Sequence, residues 1–320
     1  MPAPVTKVPV ELLAALRRAH SGPSAGLDGA LLTLSLRPLS GGRQNHVYLW
    51  TPHGGPEVVV KLYHKADDRR RVDREWAALS LLATHRVRDV PVPLWIDPDP
   101  NLPALGMTPL HGEPLCDAAD RRTALQGLAY TTARIQAVPL AGLLADLPRI
   151  DSADHYIHRL RGPWPELLAA HGNDRLTPIM QHLLTAWRRS GDGDLLSEPA
   201  APVFSRGDSN LLNWLRTDGG ASACVDFEFS GYSDVAFDAA DLIEHISSRS
   251  IPDTIWTGLL PELGVDHTNH PRFTAAQRTC ALRWLAILWK QRERRVEEFT
   301  AQHERVELLF STANPYIQLR

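Results

Sequence analysis

The chain has little cysteine, little net charge and no long apolar run, and each shortage excludes a class of protein. Its 320 residues contain three cysteines, Cys116, Cys224 and Cys280, which lie far apart. They form neither a disulfide framework nor a metal-ligand pattern, so a reducing cytoplasm is the expected setting. The formal net charge of −3 gives no electrostatic footprint for nucleic acid or an anionic membrane, and neither partner is expected. No apolar stretch reaches the roughly 20 residues of a membrane-spanning helix, and the N-terminus carries no signal-peptide pattern. Internal repeats and low-complexity segments are absent. Arg69-Arg70-Arg71 is a candidate basic patch, but Asp67, Asp68 and Asp73 surround it, so a solvated mixed-charge face is expected.

What is present is a chain long enough for two lobes and 43% hydrophobic, with material for a large core. Its most informative segment is Ser205-Arg206-Gly207-Asp208-Ser209-Asn210-Leu211-Leu212-Asn213, followed by Val225-Asp226-Phe227-Glu228. Phosphoryl transfer needs one carboxylate to orient the attacking hydroxyl. It also needs an amide oxygen and a second carboxylate to hold the metal that bridges the phosphates. Asp208, Asn213 and Asp226 occur in the order of the kinase signature. Leu211 to Leu215 reads as an apolar run, Thr217-Asp218-Gly219-Gly220 as a turn, and Ala223-Cys224-Val225 as a returning strand. Such a hairpin would turn all three side chains toward one metal–phosphate site. Each residue alone fits an ordinary polar turn; the ordered set points to catalysis.

The N-terminal part supplies candidates for a nucleotide site. Leu31 to Leu36 alternates like a strand, Ser40-Gly41-Gly42-Arg43-Gln44-Asn45 reads as a turn, and His46 to Trp50 reads as the next strand. Gly41 and Gly42 would let backbone N–H groups approach phosphate oxygens, although two glycines between strands also make a plain hairpin. Val58-Val59-Val60-Lys61-Leu62-Tyr63 embeds a lysine in a β-branched run. A buried ammonium needs a partner, and Glu75, at the start of the helical stretch Arg74 to Ala83, is available. The rival reading is a lysine that snorkels to solvent. Val90-Pro91-Val92-Pro93 is extended. Ala104 to Gly112 reads as a strand entering an irregular crossover, where Leu105 and Met107 would neighbour a purine base or simply end a strand.

Helical patterns cover 118–138, 166–190 and 273–310, with Ala281 to Trp289 apolar enough for burial and Arg292 to Glu307 charged enough for a solvated helix. Prolines in 143–165 and 250–273 suggest loops over an acceptor cleft. Asp234, Asp238, Asp241 and Glu244 would form an acidic lip favouring a cationic acceptor, with helix capping as the rival role. Trp256, Trp284 and Trp289 would line a cation–π pocket or pack the core.

Together these residues resemble the aminoglycoside phosphotransferase and choline kinase superfamily over roughly residues 35–250. The motifs are Gly41-Gly42-x-x-Asn45, Lys61, Glu75, the Asp208 loop and Asp226-Phe227-Glu228. The Asp-Phe-Glu form resembles the choline-kinase side, and the Gly-Gly-x-x-Asn turn the aminoglycoside-kinase side. The resemblance implies an α+β, bilobal protein-kinase-like fold. Its small N-terminal lobe, a five-stranded antiparallel sheet with a helix, would bind nucleotide (1–108). Its larger, mainly helical C-terminal lobe would carry catalysis and the acceptor (109–320). ATP or GTP, Mg2+ and a small hydroxylated acceptor follow as expected partners. By position, Asp208 would be the catalytic base, Asn213 and Asp226 would hold Mg2+, and Lys61, held by Glu75, would contact the phosphates. Gly41, Gly42 and Asn45 would cover them. One departure is Arg206, which stands two residues before Asp208 where the family usually has histidine. Asp238 is expected to pin the catalytic loop, with Arg206 as its partner.

Three functions fit these residues. A small-molecule O-kinase leads. A protein kinase is weakened by the lack of an Ala-Pro-Glu segment and of a recognisable activation loop after Asp226. A catalytically silent kinase-fold binding protein has Arg206 as its one hint.

Overall fold

The N-terminal part of the chain runs α1 (Val10–Ser21), α2 (Leu27–Thr33), β1 (Leu36–Pro38), β2 (Asn45–Trp50), β3 (Val58–Tyr63), α3 (Arg71–Thr84), β4 (Pro93–Asp97) and β5 (Ala104–Met107). The computed structural model describes residues 7–21, 27–39, 45–64, 69–118, 120–217 and 222–317. The five strands form one antiparallel sheet in the order β1-β2-β3-β5-β4. Side-chain alternation splits β3 between two cores. Val58, Val60 and Leu62 pack outward with Leu12, Leu13 and Leu16 of α1. Lys61 and Tyr63 face α3, whose Glu75 meets them both.

One expectation fails here. Leu31 to Thr33 is helical, and the strand begins only at Leu36. Leu31 and Leu34 are three apart, a spacing that fits a helix as well as an alternating reading, and both pack into the outer core with α1.

The remainder runs β6 (Glu113–Pro114), α4 (Arg121–Gln136), α5 (Leu143–Asp146), α6 (Ala153–Arg161), α7 (Pro163–Ala170), α8 (Thr177–Ser190), α9 (Asp192–Ser197), β7 (Val203–Ser205), β8 (Trp214–Arg216), β9 (Ser222–Cys224), β10 (Gly231–Ser233), α10 (Val235–Glu244), α11 (Asp253–Leu259), α12 (His270–Trp289) and α13 (Val296–Phe310). Segment 143–165 is thus largely helical rather than loop, while 250–273 holds α11 and the start of α12 with non-helical chain between them. Pro163 and Pro271 sit in first helical turns, where the missing N–H has no partner to lose. α12 is buried along most of its length and packs against α10 and α13. The charged tail is solvated on one side only, since Phe299, Gln302, Val306 and Leu309 of α13 are buried. Among the described residues, no helix is long and apolar enough to cross a membrane.

Two small antiparallel sheets position the site. β7 pairs with β10, and β8 lies between β6 and β9. The Arg206–Asn213 segment leaves the end of β7, and Asp226 follows the end of β9.

Candidate active site

The loop after β7 turns at Gly207, whose φ of 80° lies in the left-handed region that favours glycine. A Cβ there would also collide with the Phe229 carbonyl. The turn presents Asp208, whose Oδ1 accepts the Asn210 N–H at 2.9 Å and whose Oδ2 accepts the Asn213 amide. Asn210 caps the short turn Leu211–Asn213 by accepting the Leu212 N–H at 3.1 Å. Ser209 donates to Asp241 at 2.7 Å, and the Leu211 N–H donates to Ser247 at 2.9 Å. The side chains of Asp208, Ser209, Asn210 and Asn213 are therefore all held.

The β8–β9 hairpin pairs Trp214 with Cys224, and the Val225 N–H reaches the Asn213 carbonyl at 3.0 Å. That closure sets the Asn213 amide nitrogen 3.5 Å from Asp226 Oδ2. Asp226 itself has φ 68°, an uncommon conformation for a residue with a side chain and one that clusters at functional sites. Asp208, Asn213 and Asp226 thus converge.

Lys61 meets the same cluster from the sheet. Its Nζ lies 2.6 Å from Glu75 Oε2, 2.6 Å from Asp226 Oδ1 and 3.0 Å from Glu228 Oε2. Tyr63 also donates to Glu75 Oε2, while Glu75 Oε1 accepts the Phe227 N–H at 3.1 Å. Glu75 therefore ties β3, α3 and the Asp-Phe-Glu segment together. Asn45 donates to Glu228 at 2.5 Å. Gly41 and Gly42 lie outside the described residues. Met107 is on the same face of the sheet as Lys61, two residues beyond its partner Leu105, and is buried in the main core.

Burial alone would lower the pKa of Lys61, but Asp226, Glu75 and Glu228 reverse that and hold it well above its ordinary value. Burial raises Glu75, and Lys61 only partly offsets it. Asp226 is held below its usual value because Lys61, Arg206 and Arg71 outweigh its burial. Asp208 goes the other way: burial, with Asp226 nearby, pushes it up to about 6 against the pull of Arg206. Two carboxylates in one site thus differ in proton affinity, the arrangement that separates a base from a metal ligand. Glu75, Asp226 and Glu228 also offer carboxylate oxygens within 4.8 Å of one another.

Arg206 and Asp238 do not pair. Arg206 donates to the Val225 carbonyl at 3.1 Å, the Asp226 carbonyl at 3.4 Å and the Asp208 carbonyl. Asp238 instead meets Arg149 at 2.9 Å, and Arg149 also binds Asp241. The Arg206 guanidinium spans both loops through three backbone carbonyls, while Asp238 meets the start of the loop through Ser205. Asp238 lies one turn inside α10, which is capped by Asp234 through the Phe237 N–H at 2.9 Å.

The acidic lip is neutralised. Asp234 pairs with Arg272, Asp238 and Asp241 with Arg149, and Glu244 with Arg249 and Arg305. Trp256 and Trp289 are 1% exposed and belong to the core. Trp284 lies edge-on to His245, with centroids 4.8 Å apart.

Sequence reasoning missed Tyr63, Arg71, Arg149 and the link between Asn45 and Glu228. Arg71 departs from the solvated face expected of its cluster: its side chain is 14% exposed and lies 3.3 Å from Glu228. Its position four residues before Glu75 was the available signal. Arg149 had none.

The description "Phosphotransferase enzyme family" matches residues 35–275. The chain belongs to this phosphotransferase family. No curated protein matches it. Among solved structures, it is similar to aminoglycoside phosphotransferase APH(4)-Ia (16% identity, TM-score 0.62, covering 90% of this chain and 98% of that one). It is also similar to a choline/ethanolamine kinase family protein from Mesorhizobium loti (17%, 0.61, 91% and 97%). A third is spectinomycin phosphotransferase APH(9)-Ia, in complex with ADP and spectinomycin (10%, 0.60, 89% and 93%). At these identities the likeness establishes the fold, which is bilobal and protein-kinase-like. Both the superfamily and the reaction class expected from the catalytic-loop motifs are met: this phosphotransferase family member has the small antiparallel sheet and the larger helical part that the resemblance implied.

Proposed function

We propose that this chain moves the γ-phosphate of ATP to a hydroxyl of a small acceptor. The observation that carries the reading is the convergence of Asp208, Asn213 and Asp226 beside the Lys61–Glu75 pair. In this reading Asp208 orients the acceptor hydroxyl and takes its proton, for which a pKa near 6 is suited at neutral pH. Lys61, fixed by Glu75 and Tyr63, receives the phosphates. Asn45 and the Gly41-Gly42 turn cover them, and Met107 neighbours the base. Arg206 holds the two loops in register. The nucleotide lobe is taken as 1–108 and the catalytic lobe as 109–320.

The carboxylates of Glu75, Asp226 and Glu228 suit a hard dication, with no thiol or imidazole among them, and Asn213, whose amide nitrogen faces Asp226, would turn its oxygen to the metal. Asn213 and Asp226 would hold Mg2+, which when bound neutralises charge on the phosphate oxygens. ATP is favoured over GTP because similar structures were solved with ADP or AMP-PNP. The spectinomycin and hygromycin B bound in two of those structures, together with the choline/ethanolamine kinase likeness, support a hydroxylated natural product or amino alcohol. The neutralised lip removes one argument for a strongly cationic acceptor.

The test is γ-phosphate transfer from ATP across aminoglycosides, choline-like amines and other natural-product alcohols, with Asp208→Asn as control. Transfer by the wild type that the variant loses supports the reading. A wild type that binds no nucleotide in the presence of magnesium, and is inert toward every acceptor, favours a silent binding protein.

A further inference from the structure

Arg71 opens α3 one helical turn before Glu75, and both side chains meet the Asp226-Phe227-Glu228 segment. Its Nη1 is 3.3 Å from Glu228 Oε1, while Glu228 Oε2 meets Lys61 at 3.0 Å and Asn45 at 2.5 Å. One buried carboxylate thus collects two cations and an amide N–H from three different elements: β3, α3 and the start of β2. Glu228 is 3% exposed at its side chain, and the two cations are 7% and 14% exposed. Carboxylates and phosphates are recognised by the same donors, and the planar arginine fork fits either. A group of donors gathered around one anionic side chain, two residues from Asp226 and sharing Lys61 with it, has the composition of a phosphate site.

We propose that Arg71 is a second phosphate-binding cation, set beside Lys61, and that Glu228 occupies both until a nucleotide replaces it. This rests on the phosphotransferase reading above. Lys61 meets Glu75 and Asp226 from β3, and Arg71 approaches the same segment from the N-terminal end of α3. The second cation therefore adds affinity in proportion to the number of phosphates. A purely structural Arg71–Glu228 pair would act on every nucleotide alike.

The test is calorimetric binding of AMP, ADP and AMP-PNP, in magnesium buffer, to the wild type, Arg71→Gln and Arg71→Lys. The expected result for Arg71→Gln is near-unchanged AMP binding and a loss that grows through ADP to about tenfold or more for AMP-PNP. Arg71→Lys should recover part of it, and melting curves establish that the variants are folded. Equal losses for all three nucleotides, or none, would overturn the proposal while leaving the phosphotransferase reading intact. A wild type that binds none of the three would overturn that reading, and this one with it.

Discussion

Replacing Asp208 with asparagine should stabilise the protein while stopping phosphoryl transfer. Burial moves the pKa of Asp208 from 3.8 to about 6, against the pull of Arg206. Each tenfold change in proton affinity between folded and unfolded chains is worth about 1.4 kcal/mol. The half-buried carboxylate therefore lowers stability by up to about 3 kcal/mol at neutral pH. The sign follows from linkage: a carboxyl whose folded pKa is raised contributes stability below 3.8 that is lost as pH climbs through about 6. Asparagine keeps the shape and removes the charge, so the variant escapes that loss. Its Oδ1 still accepts the Asn210 N–H, and the Asn213 amide needs only to turn to offer its oxygen. With about 2.1 cal/mol/K of unfolding entropy per residue over 320 residues, the gain corresponds to a Tm about 4 °C higher. Urea and thermal unfolding of both proteins at neutral pH, and again near pH 4, measure it. The variant should lead at neutral pH, and the gap should close in acid. A variant equal to or weaker than the wild type at neutral pH would refute the claim that Asp208 is held under electrostatic strain.

Other outcomes follow from the same geometry. Lys61→Ala should weaken nucleotide binding at least tenfold by calorimetry and destabilise the fold by about 3–5 kcal/mol, because Glu75 is left buried without its cation and Glu228 is left with Arg71. Circular dichroism should still report a folded chain. Gly207→Ala should reduce stability by about 1–3 kcal/mol and transfer more severely, since the Phe229 carbonyl blocks a Cβ; urea midpoints and initial rates check both. The transfer rate of the wild type should fall roughly tenfold per pH unit below about 6 as Asp208 is protonated. Arg206→Gln should move that limb upward, because Arg206 lowers the Asp208 pKa. A pH profile that stays flat well below 6 would remove Asp208 from the base role.

The residues legible in the sequence were those whose chemistry is stated by order along the chain. Asp208 and Asn213 are brought together by one loop, and Asp226 by one short hairpin, so local turn chemistry sufficed. Lys61 could be assigned because a charged residue inside a β-branched strand demands a partner. Arg149 could not be, since nothing local ties it to Asp238 and Asp241, about 90 residues away. The Arg206–Asp238 pairing failed for the same reason: complementary charge names possible partners but not which one the fold delivers. The acidic lip misled because the arginines that neutralise it come from α12, α13 and the segments before α6 and after α10. Leu31 to Leu36 misled because a few leucines satisfy two periodicities, and only packing against α1 chooses between them.

The most direct test of the central claim is a crystal structure with AMP-PNP and manganese in place of magnesium, the metal located by its anomalous signal. The account predicts a metal peak bound by Asn213 and Asp226, with Lys61 on the phosphates and Asp208 facing the terminal phosphate across the cleft. A metal peak held by other side chains, or a nucleotide bound away from Lys61, would contradict it.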